Sequence, residues 1–264
     1  MMQWLLPHNK MFNAPAKRIV SLVPSLTEYL FDLGLEEEVV GITKFCVHPE
    51  RWFLGKRRIG GTKNVHIANL LDLKPDLVIA SKEENVKDQV EQIAEQVPVL
   101  LTDVQDYEGA LQVMHSIASA CGREAEGIAL CSKIEKQFKS LTAVNSKIRV
   151  AYCIWKDPWM FAGGDTFISA MLAKAGFENV LGQQSRYPSL TLVQLAETGP
   201  EVVLLSSEPY PFKEKHIQEV QEAVPAAEVL TVDGEMFSWY GSRLLYAPTY
   251  FAELQELTRK NPLN

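Results

Sequence analysis

Arg123-Glu-Ala-Glu-Gly-Ile-Ala-Leu-Cys-Ser-Lys-Ile-Glu-Lys-Gln-Phe-Lys-Ser-Leu-Thr-Ala-Val-Asn-Ser146 separates two stretches that read as two versions of one unit. Leu130, Ile134, Phe138 and Leu141 recur at spacings of four, four and three residues, the period of an α-helix with one apolar face. At 1.5 Å per residue the stretch predicts a rod of about 35 Å. No proline interrupts it, and Gly127 lies too near its start to end it.

The same signals stand in the same order on either side of the rod. Arg18-Ile-Val-Ser-Leu22, Leu73-Lys-Pro-Asp-Leu-Val-Ile79 and Val99-Leu-Leu-Thr-Asp103 precede it. Arg149-Val-Ala-Tyr-Cys153, Gly199-Pro-Glu-Val-Val-Leu-Leu205 and Val229-Leu-Thr-Val-Asp233 follow it, at offsets of 125 to 131 residues. Two related α/β lobes joined by a helix would give this order. Unrelated α/β units, each with a Pro-Asp or Pro-Glu turn before a buried strand, would give it too. The expected division is an N-terminal extension over residues 1–16, a first α/β lobe over 17–122, the bridging helix over 123–146 and a second α/β lobe over 147–264.

An apolar content of 47% suits a globular chain with a substantial core. A net charge of -7 argues against a nucleic-acid surface, and Lys56-Arg57-Arg58, the one basic cluster, reads as a solvated loop. Met1-Met-Gln-Trp-Leu-Leu-Pro-His-Asn9 offers a short apolar burst broken by Pro7 where an export signal needs a longer one, and no apolar run is long enough for a membrane span. Cys46, Cys121, Cys131 and Cys153 show no paired spacing. The expectation is a cytoplasmic protein with reduced thiols.

In the first lobe, a short strand from Arg18 runs into a helix after Pro24, with Ser25 or Thr27 as its cap and Gly34 as its stop. Loops at the C-terminal ends of parallel strands are the usual ligand-facing positions, which selects the Pro24 turn, the Lys44–Pro49 loop and Ser81, while Gly60-Gly-Thr-Lys-Asn64 is a Gly-rich loop without the Lys-Ser/Thr ending and spacing of a P-loop. In the second lobe the corresponding loops are Trp155-Lys-Asp-Pro-Trp-Met-Phe161, Ser185-Arg-Tyr-Pro188 and Asp233-Gly-Glu-Met-Phe-Ser-Trp-Tyr-Gly-Ser-Arg243. Asp165 is the expected cap of a helix over 166–175, and Pro248 the expected kink in a helix over 244–260.

Trp155, Trp159, Phe161, Phe237, Trp239 and Tyr240 lie in loops rather than at helical core spacing. They suit either a cleft for a flat or bulky organic ligand or loop packing; each such ring removes roughly 150–250 Å² from water when buried, several kcal/mol at about 25 cal/mol per Å². Arg186 and Arg243 could meet an anionic edge or stack on a ring. No nucleophile-elbow, zincin, P-loop or acidic metal-loop pattern is present. Cys46 and His48 are the only closely spaced soft ligands, too few for a closed zinc site.

Arg18-Ile-Val-Ser-Leu-Val-Pro-Ser-Leu-Thr-Glu28, Ile59-Gly-Gly-Thr-Lys-Asn64, Leu73-Lys-Pro-Asp-Leu-Val-Ile79 and the central rod resemble the class III substrate-binding proteins, the helical-backbone metal receptor superfamily. Corrinoid, haem and ferric-siderophore receptors of ABC importers belong to it. The resemblance spans roughly residues 17–258. It implies two Rossmann-like lobes with central β-sheets bridged by one long helix, and a ligand cleft between the lobes. It also implies a non-enzymatic role: binding a metal chelate such as cobalamin, haem or a ferric siderophore, with no required cofactor.

By similarity to the corrinoid-binding members, Pro24, the Phe45 loop, Thr62, Ser81, the Trp159–Phe161 loop, the Tyr187 loop, Glu235 and Trp239 line that cleft. Thr62 replaces an aromatic residue of those members and Trp239 an arginine. Importer-linked members dock on a permease through one glutamate per lobe; Ala68 and Val193 stand at those places here, with Asp72 and Glu197 one turn away. An importer component remains one alternative. An enzyme acting on a chelate through Cys46, His48 or Glu235 is the other.

Overall fold

The computed structural model describes residues 5–7, 14–141 and 147–260. The chain forms two compact units, one made of residues up to Val104 with Glu108–Ile134 and Tyr240–Arg243, the other of Gln105–Tyr107, Glu135–Trp239 and Leu244 onward.

The first unit contains β1 (Leu5–Pro7), β2 (Ile19–Ser21), α1 (Pro24–Asp32), β3 (Val39–Ile42), α2 (Glu50–Gly55), β4 (Arg57–Arg58), α3 (Ile67–Asp72), β5 (Leu77–Ser81), α4 (Lys87–Ala94), β6 (Val99–Thr102) and most of α5 (Tyr107–Ala120). Its sheet runs in the order β1-β6-β5-β2-β3-β4, every pairing parallel. The five residues of β5 are all buried, as a strand covered on both faces must be. Val20, Val78, Ala80 and Val99 from the strands pack with Leu70, Val90, Ile93 and Ala94 from the helices; each fully buried Val, Leu or Ile is worth about 1.5–3 kcal/mol. Arg57 and Arg58 form the exposed edge strand rather than a loop, where charge discourages a further strand from pairing.

The second unit contains β7 (Ile148–Trp155), β8 (Met160–Phe161), α7 (Phe167–Lys174), β9 (Phe177–Asn179), α8 (Leu192–Glu197), β10 (Val202–Ser206), α9 (Glu214–Ala223), β11 (Glu228–Val232), α10 (Glu235–Ser238) and α11 (Ala247–Lys260). β11, β10, β7 and β9 pair in that order, all parallel, while β8 adds antiparallel to the C-terminal end of β7. Pro248 is the second residue of α11 and begins the helix instead of kinking it, since its missing N–H is not needed there.

The two units repeat one local design. Arg18 Nη2 donates to Leu73 O at 2.6 Å, and the backbone N–H of Arg18 donates to Asp76 Oδ1 at 2.9 Å. Arg149 Nη2 donates to Thr198 O, and the backbone N–H of Arg149 donates to Glu201 Oε2 at 2.8 Å. Each arginine thus closes the C-terminus of a six-residue helix, α3 or α8, and each acid after the proline holds the start of β2 or β7. Lys74 and Gly199, 125 residues apart, both take positive φ at the same turn. Ala68 and Val193 are each the second residue of their helix and both are exposed.

α6 (Glu124–Lys139) has 16 residues and so runs about 24 Å, shorter than the expected rod; residues 142–146 lie outside the described residues. Its buried residues are Gly127, Cys131 and Ile134, whereas Leu130 is only half-buried. A Cβ at Gly127 would sit 2.4 Å from Ala118 Cβ and 3.2 Å from the Tyr29 hydroxyl. This close approach to α5 turns the buried face away from the stripe that apolar periodicity alone selects.

Candidate functional site

In an all-parallel sheet every strand ends on the same edge, so the loops that follow the strands gather there. In the first unit this brings Pro24, Phe45, Cys46, His48, Thr62 and Ser81 to one edge. Pro24 is the first residue of α1, whose N-cap is Val23; neither Ser25 nor Thr27 caps it. Thr27 Oγ1 turns back instead, 2.8 Å from Ser21 Oγ, 2.9 Å from Val23 O and 3.1 Å from Cys46 Sγ. Cys46 is fully buried, and burial pushes its thiol up to about 11 against the pull of the Thr27 and Thr43 hydroxyls. The structure packs Cys46 as a core residue whose burial disfavours the thiolate. His48 is half-buried, and among the described residues no three His, Cys, Asp or Glu side chains are grouped to hold a metal.

Phe45 is the open ring of this edge, 50% exposed, with Lys44 Nζ 5.0 Å from its centroid. Thr62 is half-buried; its carbonyl accepts from Asn85 Nδ2 at 3.0 Å, while Asn85 Oδ1 accepts from the Ser81 N–H at 2.8 Å. Ser81 itself is buried.

Tyr240 and Arg243, expected on the second lobe, pack with the first unit. The Tyr240 hydroxyl lies 3.1 Å from Thr102 Oγ1 at the end of β6. Arg243 donates to both oxygens of Glu28, at 3.0 and 2.8 Å, so its guanidinium is paired with a carboxylate of the same unit. Burial holds the Glu28 carboxyl above its ordinary 4.5 although Arg243 and His48 pull it down.

In the second unit Trp155 is the last residue of β7, and Trp159, Phe161, Arg186, Tyr187, Glu235, Phe237 and Trp239 lie on loops or short elements following β7, β9 and β11. Their exposures differ from the expectation of an open aromatic rim. Phe161 and Phe237 are fully buried, Trp159 is 9% and Trp239 7% exposed, and only Trp155 remains open at 39%. Phe237 stacks into the core against Tyr152 and Phe251, at 5.2 and 4.8 Å between centroids. Arg186 is exposed with a positive φ of 59°, its guanidinium 5.6 Å from the Tyr187 ring. Asp165 accepts from the Arg186 backbone N–H and so pins this loop; the cap of α7 is Thr166, whose Oγ1 accepts from the Ser169 N–H at 3.2 Å. Glu235 is half-buried, its backbone N–H donating to Asp233 Oδ1 at 3.0 Å.

Sequence reading assigns no role to Glu208, yet its Oε1 accepts from Ser238 Oγ at 2.8 Å and from Trp239 Nε1 at 2.9 Å. The available signal was position: Glu208-Pro-Tyr-Pro-Phe212 follows the buried strand β10, where a ligand-facing loop belongs. Burial raises the Glu208 carboxyl above its ordinary 4.5, the hydrogen bonds from Ser238 and Trp239 oppose this, and Glu235 and Asp233 add to the rise. A folded-state value above the unfolded one means that the unfolded chain holds fewer protons between the two, so this group's stabilising contribution is present below 4.5 and is lost as pH rises through the raised value. Glu208→Gln, which keeps the acceptor and removes the charge, is expected to gain stability over the wild type as pH rises from 4.5 through the raised value. Thermal unfolding across that range checks it; a constant difference would reject the assignment.

These units, each a parallel sheet with its loops gathered at the strand ends, define a two-lobed α/β binding protein. The chain belongs to the periplasmic binding protein family, which it matches over residues 19–231, and is a binding protein rather than an enzyme. The uncharacterized ABC transporter substrate-binding lipoprotein YvrC of Bacillus subtilis is 26% identical over 253 residues, covering 90% of this chain and 79% of that protein. The vitamin B12-binding protein of Vibrio campbellii is 23% identical over 199 residues, 74% of this chain and 72% of that one. Among solved structures, the periplasmic heme-binding protein RhuT from Roseiflexus sp. RS-1 shares the fold with a TM-score of 0.78 at 22% identity, covering 93% of this chain and 98% of that one. Among the described residues no helix is long and apolar enough to cross a membrane.

Proposed function

We propose that the protein binds a metal chelate, a corrinoid, haem or ferric siderophore, on the loops at its strand ends. The observation that carries this reading is that, in a family of binding proteins, each unit keeps one large ring open at a strand end, Phe45 at 50% on the loop after β3 and Trp155 at 39% exposure as the last residue of β7. Covering what remains exposed of one ring is worth roughly 2 kcal/mol at about 25 cal/mol per Å². Vitamin B12 and heme in the names of relatives support the choice of ligand class. Calorimetric titration with cyanocobalamin, haemin and a ferric hydroxamate is expected to find one ligand bound at micromolar Kd or tighter. Trp155→Ala and Phe45→Ala are each expected to weaken that binding about tenfold, about 1.4 kcal/mol. Absence of binding by all three probes, or folded variants that bind as the wild type does, would overturn the proposal.

A role as the binding component of an ABC importer is the second reading, supported by the transporter-linked lipoprotein among its relatives. A permease that reads one carboxylate per lobe would meet Ala68 and Val193 at the expected places, and Asp72 and Glu197, both exposed, at the other end of the same helices. Permease arginines left unpaired at an interface would cost a few kcal/mol. We therefore infer that any docking uses Asp72 and Glu197.

A further inference from the structure

The loop between β10 and α9, Ser207-Glu-Pro-Tyr-Pro-Phe-Lys213, touches all three tryptophans of the second unit. Glu208 Oε1 accepts the Trp239 indole N–H at 2.9 Å. The Tyr210 ring meets Trp155 edge to face, centroids 5.3 Å apart at 73°. Phe212 lies parallel to Trp159, 5.9 Å away at 6°.

The loop is itself held at both ends. The Ser207 N–H donates to Val232 O at 2.9 Å, and Ser207 Oγ accepts from the Gly234 N–H at 3.0 Å. At the far end the Lys213 N–H donates to Nδ1 of His216, a buried side chain whose ring lies 5.5 Å from Tyr210 and 5.8 Å from Phe212. Phe212 and Lys156, whose Nζ stands 4.5 Å from the ring centroid, both cover Trp159. Trp159 is thereby a support, and Trp155 is left as the open ring.

We propose that this loop is the specificity-determining element of the second unit, with Glu208 and Tyr210 as positioning residues that set Trp239 and Trp155 for a planar conjugated chelate. The proposal rests on the chelate reading for its ligand, but not for its geometry. An edge-to-face neighbour fixes the tilt of the Trp155 plane, and a single carboxylate oxygen fixes the indole edge of Trp239. Exchanging residues of the loop therefore changes which ring system fits, without altering any tryptophan.

The test uses the full chain with Glu208→Ala, Glu208→Gln and Tyr210→Ala. Indole N–H signals are followed by two-dimensional NMR, with Trp239 assigned from Trp239→Phe and Trp155 from Trp155→Phe. The Trp239 indole proton is expected to exchange slowly in the wild type and in Glu208→Gln, and at least tenfold faster in Glu208→Ala. The Trp155 signal is expected to move in Tyr210→Ala and to stay in place in Glu208→Gln. Titration with haemin and cyanocobalamin is expected to show the ratio of the two affinities changed about tenfold by Glu208→Ala and by Tyr210→Ala, and kept within threefold of wild type by Glu208→Gln.

Unchanged indole signals in folded Glu208→Ala or Tyr210→Ala would overturn the positioning roles. Moved signals with an unchanged ratio of the two affinities would overturn the specificity role. If Glu208→Ala does not fold, Tyr210→Ala at the half-buried ring decides by the same signals. If neither probe binds the wild type, the specificity role for a planar chelate falls, the ferric hydroxamate titration decides whether the chelate reading stands, and the indole signals still decide the positioning.

Discussion

Gly164→Ala is expected to destabilise the second unit by about 3–5 kcal/mol, a large part of the roughly 5–15 kcal/mol that holds a typical protein folded. A Cβ at Gly164 would stand 1.9 Å from Gly182 O and 2.7 Å from the Gly182 carbonyl carbon, and one at Gly163 would stand 2.4 Å from Gln184 O. The obstacles are backbone atoms, not the ends of flexible side chains. The same strand of backbone accepts from the two glycines, Gln184 O from the Gly164 N–H at 2.7 Å and Arg186 O from the Gly163 N–H at 2.8 Å. Relief of the clash therefore breaks the hydrogen bonds that seat the Arg186–Tyr187 loop, so stability and the position of a candidate ligand loop fail together. Gly55→Ala is the control, since nothing lies within 4 Å of its Cβ position. Urea unfolding followed by circular dichroism checks both. A Gly164→Ala midpoint matching that of Gly55→Ala would refute the assignment.

The repeated elements were legible because each carries its own period and punctuation. Val99–Thr102, Tyr107–Ala120 and Leu192–Glu197 appear where apolar runs and helical stripes place them, and Gly34 and Gly176 stop their helices at positive φ. Leu5–Pro7, Met160–Phe161 and Phe177–Asn179 escaped because they are too brief for a period to show, and the helices Glu50–Gly55 and Glu214–Ala223 escaped too, the second with only Ile217, Val220 and Ala223 apolar among its ten residues. At the site, sequence order placed the aromatic loops but not their exposure. Whether Trp159 or Trp155 is open depends on Phe212 and Lys156, and whether Arg243 is available depends on Glu28, 215 residues away. Such pairings are made by the fold and have no local signature. The glycines tell the same story: Gly127 in a helix reads as a minor flaw until its neighbour is known.

That neighbour makes the second large effect predictable. In an isolated helix Gly127→Ala would gain about 1 kcal/mol from propensity. In this protein the new methyl would lie 2.4 Å from Ala118 Cβ on α5, well inside contact distance, with the Tyr29 hydroxyl at 3.2 Å on its other side. Tyr29 cannot yield easily, because it is fully buried and its hydroxyl donates to Met114 O at 2.8 Å. Overpacking costs about 1–3 kcal/mol, and an approach of 2.4 Å belongs at the upper end of that range, where it outweighs the propensity gain and leaves a net loss of about 2 kcal/mol. Ala118→Gly alone is expected to lose about 1 kcal/mol, for helix propensity. The double variant, with the methyl moved from one helix to the other, is expected to recover most of the loss, giving a favourable coupling of about 2 kcal/mol. Chemical denaturation of the four proteins measures that coupling directly. Additive losses would mean that α6 does not meet α5 at this point, and the buried face would return to the Leu130, Ile134 and Phe138 stripe that periodicity alone selects.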